Sequence, residues 1–141
     1  MHDRGLFFEE LHIGQTASMG KTVTEADILM FSAVSMDTNP LHLDAEAAAQ
    51  SRFGGRIAHG MLAAGVISAV LGTRLPGPGS AYVSQTLTFK GPVRPGDTVR
   101  AVVEITGLNP EKKRATLRTR CLVKEVVVID GEACVLVPSR G

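Results

Sequence analysis

Aromatic residues are scarce in this chain: there is no tryptophan, and one tyrosine and five phenylalanines stand among 141 residues. So few rings leave little on which single-stranded bases can stack. Charge of one sign is missing as well, because 15 Lys and Arg are set against 14 Asp and Glu, for a formal net charge of +1. A dedicated nucleic-acid or membrane-surface binder carries a one-signed excess, so neither partner is expected. No apolar run reaches the roughly 18 to 20 residues that span a bilayer, and the longest, Ile57 to Leu71, is interrupted by His59. The first residues, Met1-His2-Asp3-Arg4-Gly5, lack the basic-then-apolar order of a signal peptide, and Asp3, Glu9 and Glu10 are acidic where a transit peptide avoids acid. A cytoplasmic location is therefore expected. Cysteine is nearly absent: Cys121 and Cys134 lie in strand-like stretches without metal-ligand spacing and read as reduced structural thiols.

What the chain does have is 44% hydrophobic and 21% charged residues, the make-up of an ordinary globular domain, here residues 1–141 as one unit. At this size about two thirds of the unfolded surface is buried on folding, so a real core needs no staples. No internal repeat or linker interrupts it. Thr16 to Val23 reads as a strand. Thr24, with Asp27 three residues on, resembles an N-cap, and Ile28, Phe31 and Val34 recur at helical spacing, which predicts an amphipathic helix over 25–35. Pro40 disfavours helical backbone at Asn39, so Met36 to Leu43 is expected to be an irregular loop. Asp44 can cap a short helix over Ala45 to Ser51.

After the turn-rich Phe53-Gly54-Gly55-Arg56, the segment from His59 to Gly72 is apolar nearly all round. A helix without a polar face is covered on most sides, which makes this one central to the fold. Beyond Pro76-Gly77-Pro78-Gly79 the pattern is all strand: Ala81 to Lys90, Thr98 to Gly107, Ala115 to Val123 and Val126 to Val137. Short helices, one buried helix and then an antiparallel run predict an α+β domain with a sheet wrapped around a helix.

The stretch with the most reactive residue types is Asp37-Thr38-Asn39-Pro40-Leu41-His42, where a carboxylate, a carboxamide and an imidazole lie within six residues. A turn there can bring Asp37 and His42 to one side, and an unstrained imidazole beside a carboxylate exchanges protons at neutral pH. Ordinary Asp-Asn-Pro turn chemistry is the competing reading. His59-Gly60 marks the start of the buried helix, whose unpaired N–H groups carry a partial positive charge. Glycine there lets a substrate oxygen come close to the backbone.

Four blocks, Asp37-Thr38-Asn39-Pro40-Leu41-His42-Leu43-Asp44, Ala58-His59-Gly60-Met61-Leu62, Leu87-Thr88-Phe89-Lys90-Gly91-Pro92-Val93 and Gly96-Asp97, carry a resemblance that covers almost the whole chain. It resembles the MaoC-like, (R)-specific enoyl-CoA hydratases of the hotdog fold. The resemblance implies a long central helix wrapped by a five-stranded antiparallel sheet, and a homodimer joined through sheet edges. It also implies that Asp37 and His42 are the catalytic acid/base pair, that Asn39 supports their geometry, that Gly60 N–H is the oxyanion donor and that Ser68 faces the active site. His59 matches the family too, as a supporting residue packed at the helix start. Relatives usually have glycine where this chain has Met36, a departure that bears on the pocket's shape and chain-length preference. The implied reaction converts a trans-2-enoyl-CoA into a (3R)-hydroxyacyl-CoA with no metal, nucleotide or redox cofactor, since hydration moves protons and not electrons.

Three other functions share the fold: dehydration of 3-hydroxyacyl groups on acyl carrier protein, acyl-CoA binding without catalysis, and thioester hydrolysis. The intact Asp37/His42 pair argues against a mere binder, and thioesterases lack this Asp-Asn-Pro-His motif. For the phosphates of coenzyme A, Lys90, Arg94 and Arg100 are candidates. Lys112-Lys113-Arg114 reads first as a solvated hairpin turn, and His2 and His12 as surface residues. The last hairpin is expected to turn at Lys124-Glu125, with a bulge or bend at Gly131.

Overall fold

Caps and turn residues mark most boundaries of the chain's elements. In the computed structural model, which describes residues 4–141, a short 3₁₀ turn (Phe8–Glu10) leads into β1 (Thr16–Thr22) and then three helices, α1 (Glu25–Ser35), α2 (Pro40–Leu43) and α3 (Ala45–Ala49). The central helix α4 (Gly60–Thr73) follows, and then β2 (Ala81–Gln85), β3 (Thr88–Phe89), β4 (Thr98–Asn109), β5 (Arg114–Val123) and β6 (Val126–Leu136). His2 lies outside the described residues.

Local chemistry explains these starts. Asp27 N–H donates to Thr24 Oγ1 at 3.1 Å while Asp27 Oδ2 accepts from Thr24 N–H at 2.9 Å, so α1 opens on a reciprocal capping box. Its buried face is Ile28 and Ser32, one turn apart. Val34, expected on that face, is 86% exposed. The expected irregular loop over Met36 to Leu43 is corrected at its end: Asn39 Oδ1 accepts from Leu41 N–H at 3.0 Å and caps α2, with Pro40 in its first turn. Proline there loses no hydrogen bond, because the first N–H groups of a helix have no partner within it.

The strands form one antiparallel sheet in the order β1-β4-β5-β6-β2, with β3 also paired to β6. Gln85 opposes Ala133 and Thr88 opposes Asp130, so β2 and β3 are two parts of one edge strand interrupted at Thr86-Leu87. That interruption replaces the single strand expected over Ala81 to Lys90 and raises the strand count from five to six. Its cause lies across the pair: a side chain at Gly131 would collide with Thr86 O, and the bare glycine admits the carbonyl. Gly131 itself pairs regularly with Thr119, and the irregularity in this hairpin falls between Cys121 and Leu122. The expected bulge at Gly131 is thus displaced. The turn at Lys124-Glu125 stands as expected, with φ of 49° and 66°, the left-handed pair that matches strand twist in a two-residue hairpin.

The sheet's concave face meets α4. Ala63, Val66, Ile67, Val70 and Leu71 are buried against alternate residues of β4 and β5, among them Val99, Ala101, Val103, Ile105, Leu117 and Cys121. Period-2 strands and a helix thereby close one core. Coverage of α4 is less complete than its composition predicts: Met61, Gly65, Ser68 and Gly72 form an exposed stripe at helical spacing. Cys121 and Cys134 are free thiols. Burial pushes the Cys121 thiol up to about 12, which leaves it unreactive at neutral pH. No helix among the described residues is long and apolar enough to cross a membrane.

Candidate active site

Asp37 and His42 reach one cavity because the segment between α1 and α4 is folded by its own polar side chains. Met36 ends α1 in the left-handed region, at φ 66° and ψ 10°, the conformation in which helices commonly stop and which glycine takes at no steric cost. Here methionine holds that angle. Ser35 Oγ then accepts from Asp37 N–H at 3.1 Å, and Asp37 Oδ1 accepts from Asn39 N–H at 3.2 Å. Asn39 O in turn accepts from His42 N–H at 3.0 Å. Asn39 therefore links Asp37 to His42 through both its N–H and its carbonyl. Arg56 braces the far side, with Nη2 2.6 Å from Glu25 Oε1 and Nη1 3.4 Å from His42 O. The same contact holds the Glu25 carboxyl below its usual range.

His42 is 7% exposed, and its Nδ1 lies 2.8 Å from Ile57 O. A carbonyl oxygen only accepts, so Nδ1 carries the hydrogen and Nε2 of the neutral ring is left with its lone pair. The cavity that His42 enters has a volume of about 410 Å³, and Asp37, His59 and Gly60 line it as well. Gly60 begins α4 with no side chain capping it, so the first N–H groups of the central helix open onto this space. Phe89 covers the start of α4 from the edge strand: a β-carbon on Gly60 would lie 2.5 Å from Phe89 Cε1 and 2.7 Å from Cδ1. Glycine is required there for the ring to sit where it does.

His59 lies behind the pair. Its ring stacks on His42 with centroids 3.8 Å apart and planes inclined by 30°, and its Nε2 is 3.0 Å from Asp37 O. Asp37, His42 and His59 place atoms of metal-ligand type within 4.8 Å of one another. A metal takes the lone pair in the plane of each imidazole, however, and two rings stacked face to face present their faces to each other.

The expected residues are thus brought together with one exception. Ser68 lies on the exposed stripe of α4, eight residues beyond Gly60 and so about 12 Å along the axis; it is not part of the cavity wall. Of the expected cationic residues, Lys90 lines the cavity. Arg94 is committed elsewhere, with Nη2 donating to Phe53 O at 2.6 Å, and Arg100 faces Glu125 at 3.6 Å. Lys113 sits over the Phe8 ring, 5.3 Å from its centroid. The sequence reading missed Arg52 and Phe53, which also line the cavity. They lie in a turn whose residue types signal only a change of direction, and long-range folding alone brings them to His42.

A central helix whose open N-terminus meets a carboxylate and an imidazole, inside a curved antiparallel sheet, defines a hotdog domain. Comparison with known proteins gives the family: a family model described as MaoC like domain matches residues 10–128, and the chain belongs to that family. It is 60% identical over 135 residues to an (R)-specific enoyl-CoA hydratase of Rhodospirillum rubrum, covering 96% of this chain and 94% of that protein. It is 51% identical over 137 residues to a 3-hydroxybutyryl-CoA dehydratase of Methylorubrum extorquens, covering 97% of this chain and 87% of that one. Among solved structures, the R-hydratase PhaJ1 of Pseudomonas aeruginosa superposes with a TM-score of 0.90 at 42% identity, covering 96% of this chain and 88% of that one.

Proposed function

We propose that this protein is an (R)-specific enoyl-CoA hydratase, a hydro-lyase that adds water to trans-2-enoyl-CoA and runs reversibly as a 3-hydroxyacyl-CoA dehydratase. The observation that carries this reading is the convergence of Asp37, the free Nε2 of His42 and the uncapped start of α4 on one cavity, in a chain 60% identical to a hydratase.

In the proposed reaction the thioester carbonyl accepts a hydrogen bond from Gly60 N–H, which steadies the negative charge that develops on that oxygen. Water is held between Asp37 and His42. Its oxygen bonds to Cβ as the pair takes up one of its protons, and the pair delivers one proton to Cα, so the two additions sum to one water. Asp37 and His42 are treated together as one acid/base. Asn39 supports it through the hydrogen bonds that join Asp37 to His42. Hydration transfers no electrons, so the reading needs no metal, nucleotide or redox cofactor. Two free thiols, Cys121 and Cys134, suit a cytoplasmic location.

A homodimer belongs to the same reading. The edge strand β2 exposes Tyr82 and Val83, and α4 exposes its stripe through Met61 and Ser68. A second copy placed along the outer edge of β2 would satisfy its free backbone groups and cover Tyr82 and Val83. The test of function is hydration of crotonyl-CoA, followed by loss of the enoyl absorbance and by chiral analysis of the product. The expected result is (3R)-hydroxybutyryl-CoA; release of free coenzyme A with the enoyl group intact would overturn the reading in favour of hydrolysis.

A further inference from the structure

His59 is a buried titratable side chain at the cavity to which the proposed reaction assigns no proton. It is 2% exposed, and its side-chain hydrogen bonds and ring contacts run to the segment of Asp37 and His42 or to α1, which precedes it. Nε2 lies 3.0 Å from Asp37 O and 3.0 Å from Ser32 Oγ. One ring face stacks on His42 at 3.8 Å, and Phe31 packs at a tilt with centroids 4.8 Å apart. Nδ1 is buried and has no hydrogen-bond partner.

These contacts select one form of the ring. Asp37 O can only accept, so Nε2 must carry the hydrogen, shared with Ser32 Oγ. A neutral imidazole has one such hydrogen, which leaves Nδ1 as a bare lone pair. A second hydrogen on Nδ1 would be an orphan buried donor on a charged ring. The neutral Nε2–H form fits every contact, and it acts on both members of the pair. It ties down the carbonyl of Asp37, one residue after the left-handed Met36, and it backs the plane of the His42 ring.

We propose that His59 is a positioning residue, whose Nε2–H pins the Asp37 main chain and whose ring face supports His42. This rests on the reading of Asp37 and His42 as the acid/base pair. A misplacement of about 1 Å in a reacting group costs about 100-fold in rate, so His59→Ala is expected to lower kcat for crotonyl-CoA hydration by about that factor. KM should stay within about twofold, because the contact is made to the catalytic groups and not to the substrate. His59→Gln puts an amide N–H near the place of Nε2 and is expected to recover at least about tenfold of the loss. Full kcat in His59→Ala, or no recovery in His59→Gln, would overturn the proposal. The tautomer can be tested in the unaltered protein by nitrogen-15 NMR of labelled histidine, with signals assigned by their absence from the His59→Gln spectrum. Pyrrole-type Nε2 and pyridine-type Nδ1 are expected, and a hydrogen on Nδ1 would overturn the proposal even if His59→Ala does not fold. Retained activity in Asp37→Asn or His42→Ala would instead remove the reading of the pair, so the two failures are distinguishable.

Discussion

The two ends of α4 are treated in opposite ways. At the C-terminal end, Arg74 N–H and Leu75 N–H both donate to Val70 O, at 2.9 and 3.0 Å, and Gly77 N–H donates to Leu71 O at 2.9 Å. Ser80 Oγ adds bonds to Leu71 O at 3.3 Å and to Gly77 O at 2.8 Å, and the Arg74 side chain reaches across to Ser18 O at 2.7 Å. The bonds to Val70 O and Leu71 O answer carbonyls near the end of the helix, and those to Gly77 O and Ser18 O hold the turn that follows it. At the N-terminal end no side chain caps the helix, although α1 and α3 in the same chain are both capped, by Thr24 and Asp44. One end of the helix is closed by hydrogen bonds and the other is left open, facing Asp37 and His42. The N–H groups left free there are the ones to which the proposed reaction assigns the developing oxyanion.

Substitutions at the two ends should therefore fail differently. Gly60→Ala is expected to have the larger effect. Its β-carbon takes the place of the Phe89 ring, and displacing the ring alters the cavity wall beside the proposed oxyanion donor. Steady-state hydration should lose about tenfold to 100-fold in kcat. Phe89 is 51% exposed and can swing outward, so the urea midpoint should move little; an unchanged kcat would break the contrast. Ser80→Ala, at the closed end, should cost about 1 kcal/mol in urea unfolding, the ordinary worth of an intramolecular hydrogen bond. Its kcat should match the parent, and a loss of activity would show that the ends are not independent.

Sequence reading succeeded where local chemistry decides structure. The Thr24/Asp27 box, the Asp44 cap, the Lys124-Glu125 turn and the start of α4 at His59-Gly60 are all set by residues within a few positions of one another. It failed where distant residues decide. The split of the edge strand depends on Gly131, more than forty positions from Thr86 along the chain and invisible to any pattern within the strand itself. Arg52, Phe53 and Phe89 enter the cavity wall through tertiary folding. Pro40 is a special case: by itself proline signals a break, but a preceding Asn39 that can cap makes the same proline a helix starter. The candidate site was legible to the extent that its chemistry is clustered in sequence. Asp37, Asn39 and His42 lie within one short segment, and Gly60 marks a helix start. Ser68 was not placed by the same reasoning, because an all-apolar helix gives no signal of which stripe the sheet leaves uncovered.

The central claim is that Asp37 and His42 act as one acid/base unit on one water molecule at the open end of α4. A double-mutant cycle on crotonyl-CoA hydration tests it most directly. Asp37→Asn and His42→Ala should each lower kcat by about 10²- to 10⁴-fold, the usual worth of a positioned acid or base. The double variant should fall within about threefold of the slower single variant, because groups that work as a unit are lost together. Losses that multiply in the double variant would contradict the account and assign the two residues to separate tasks.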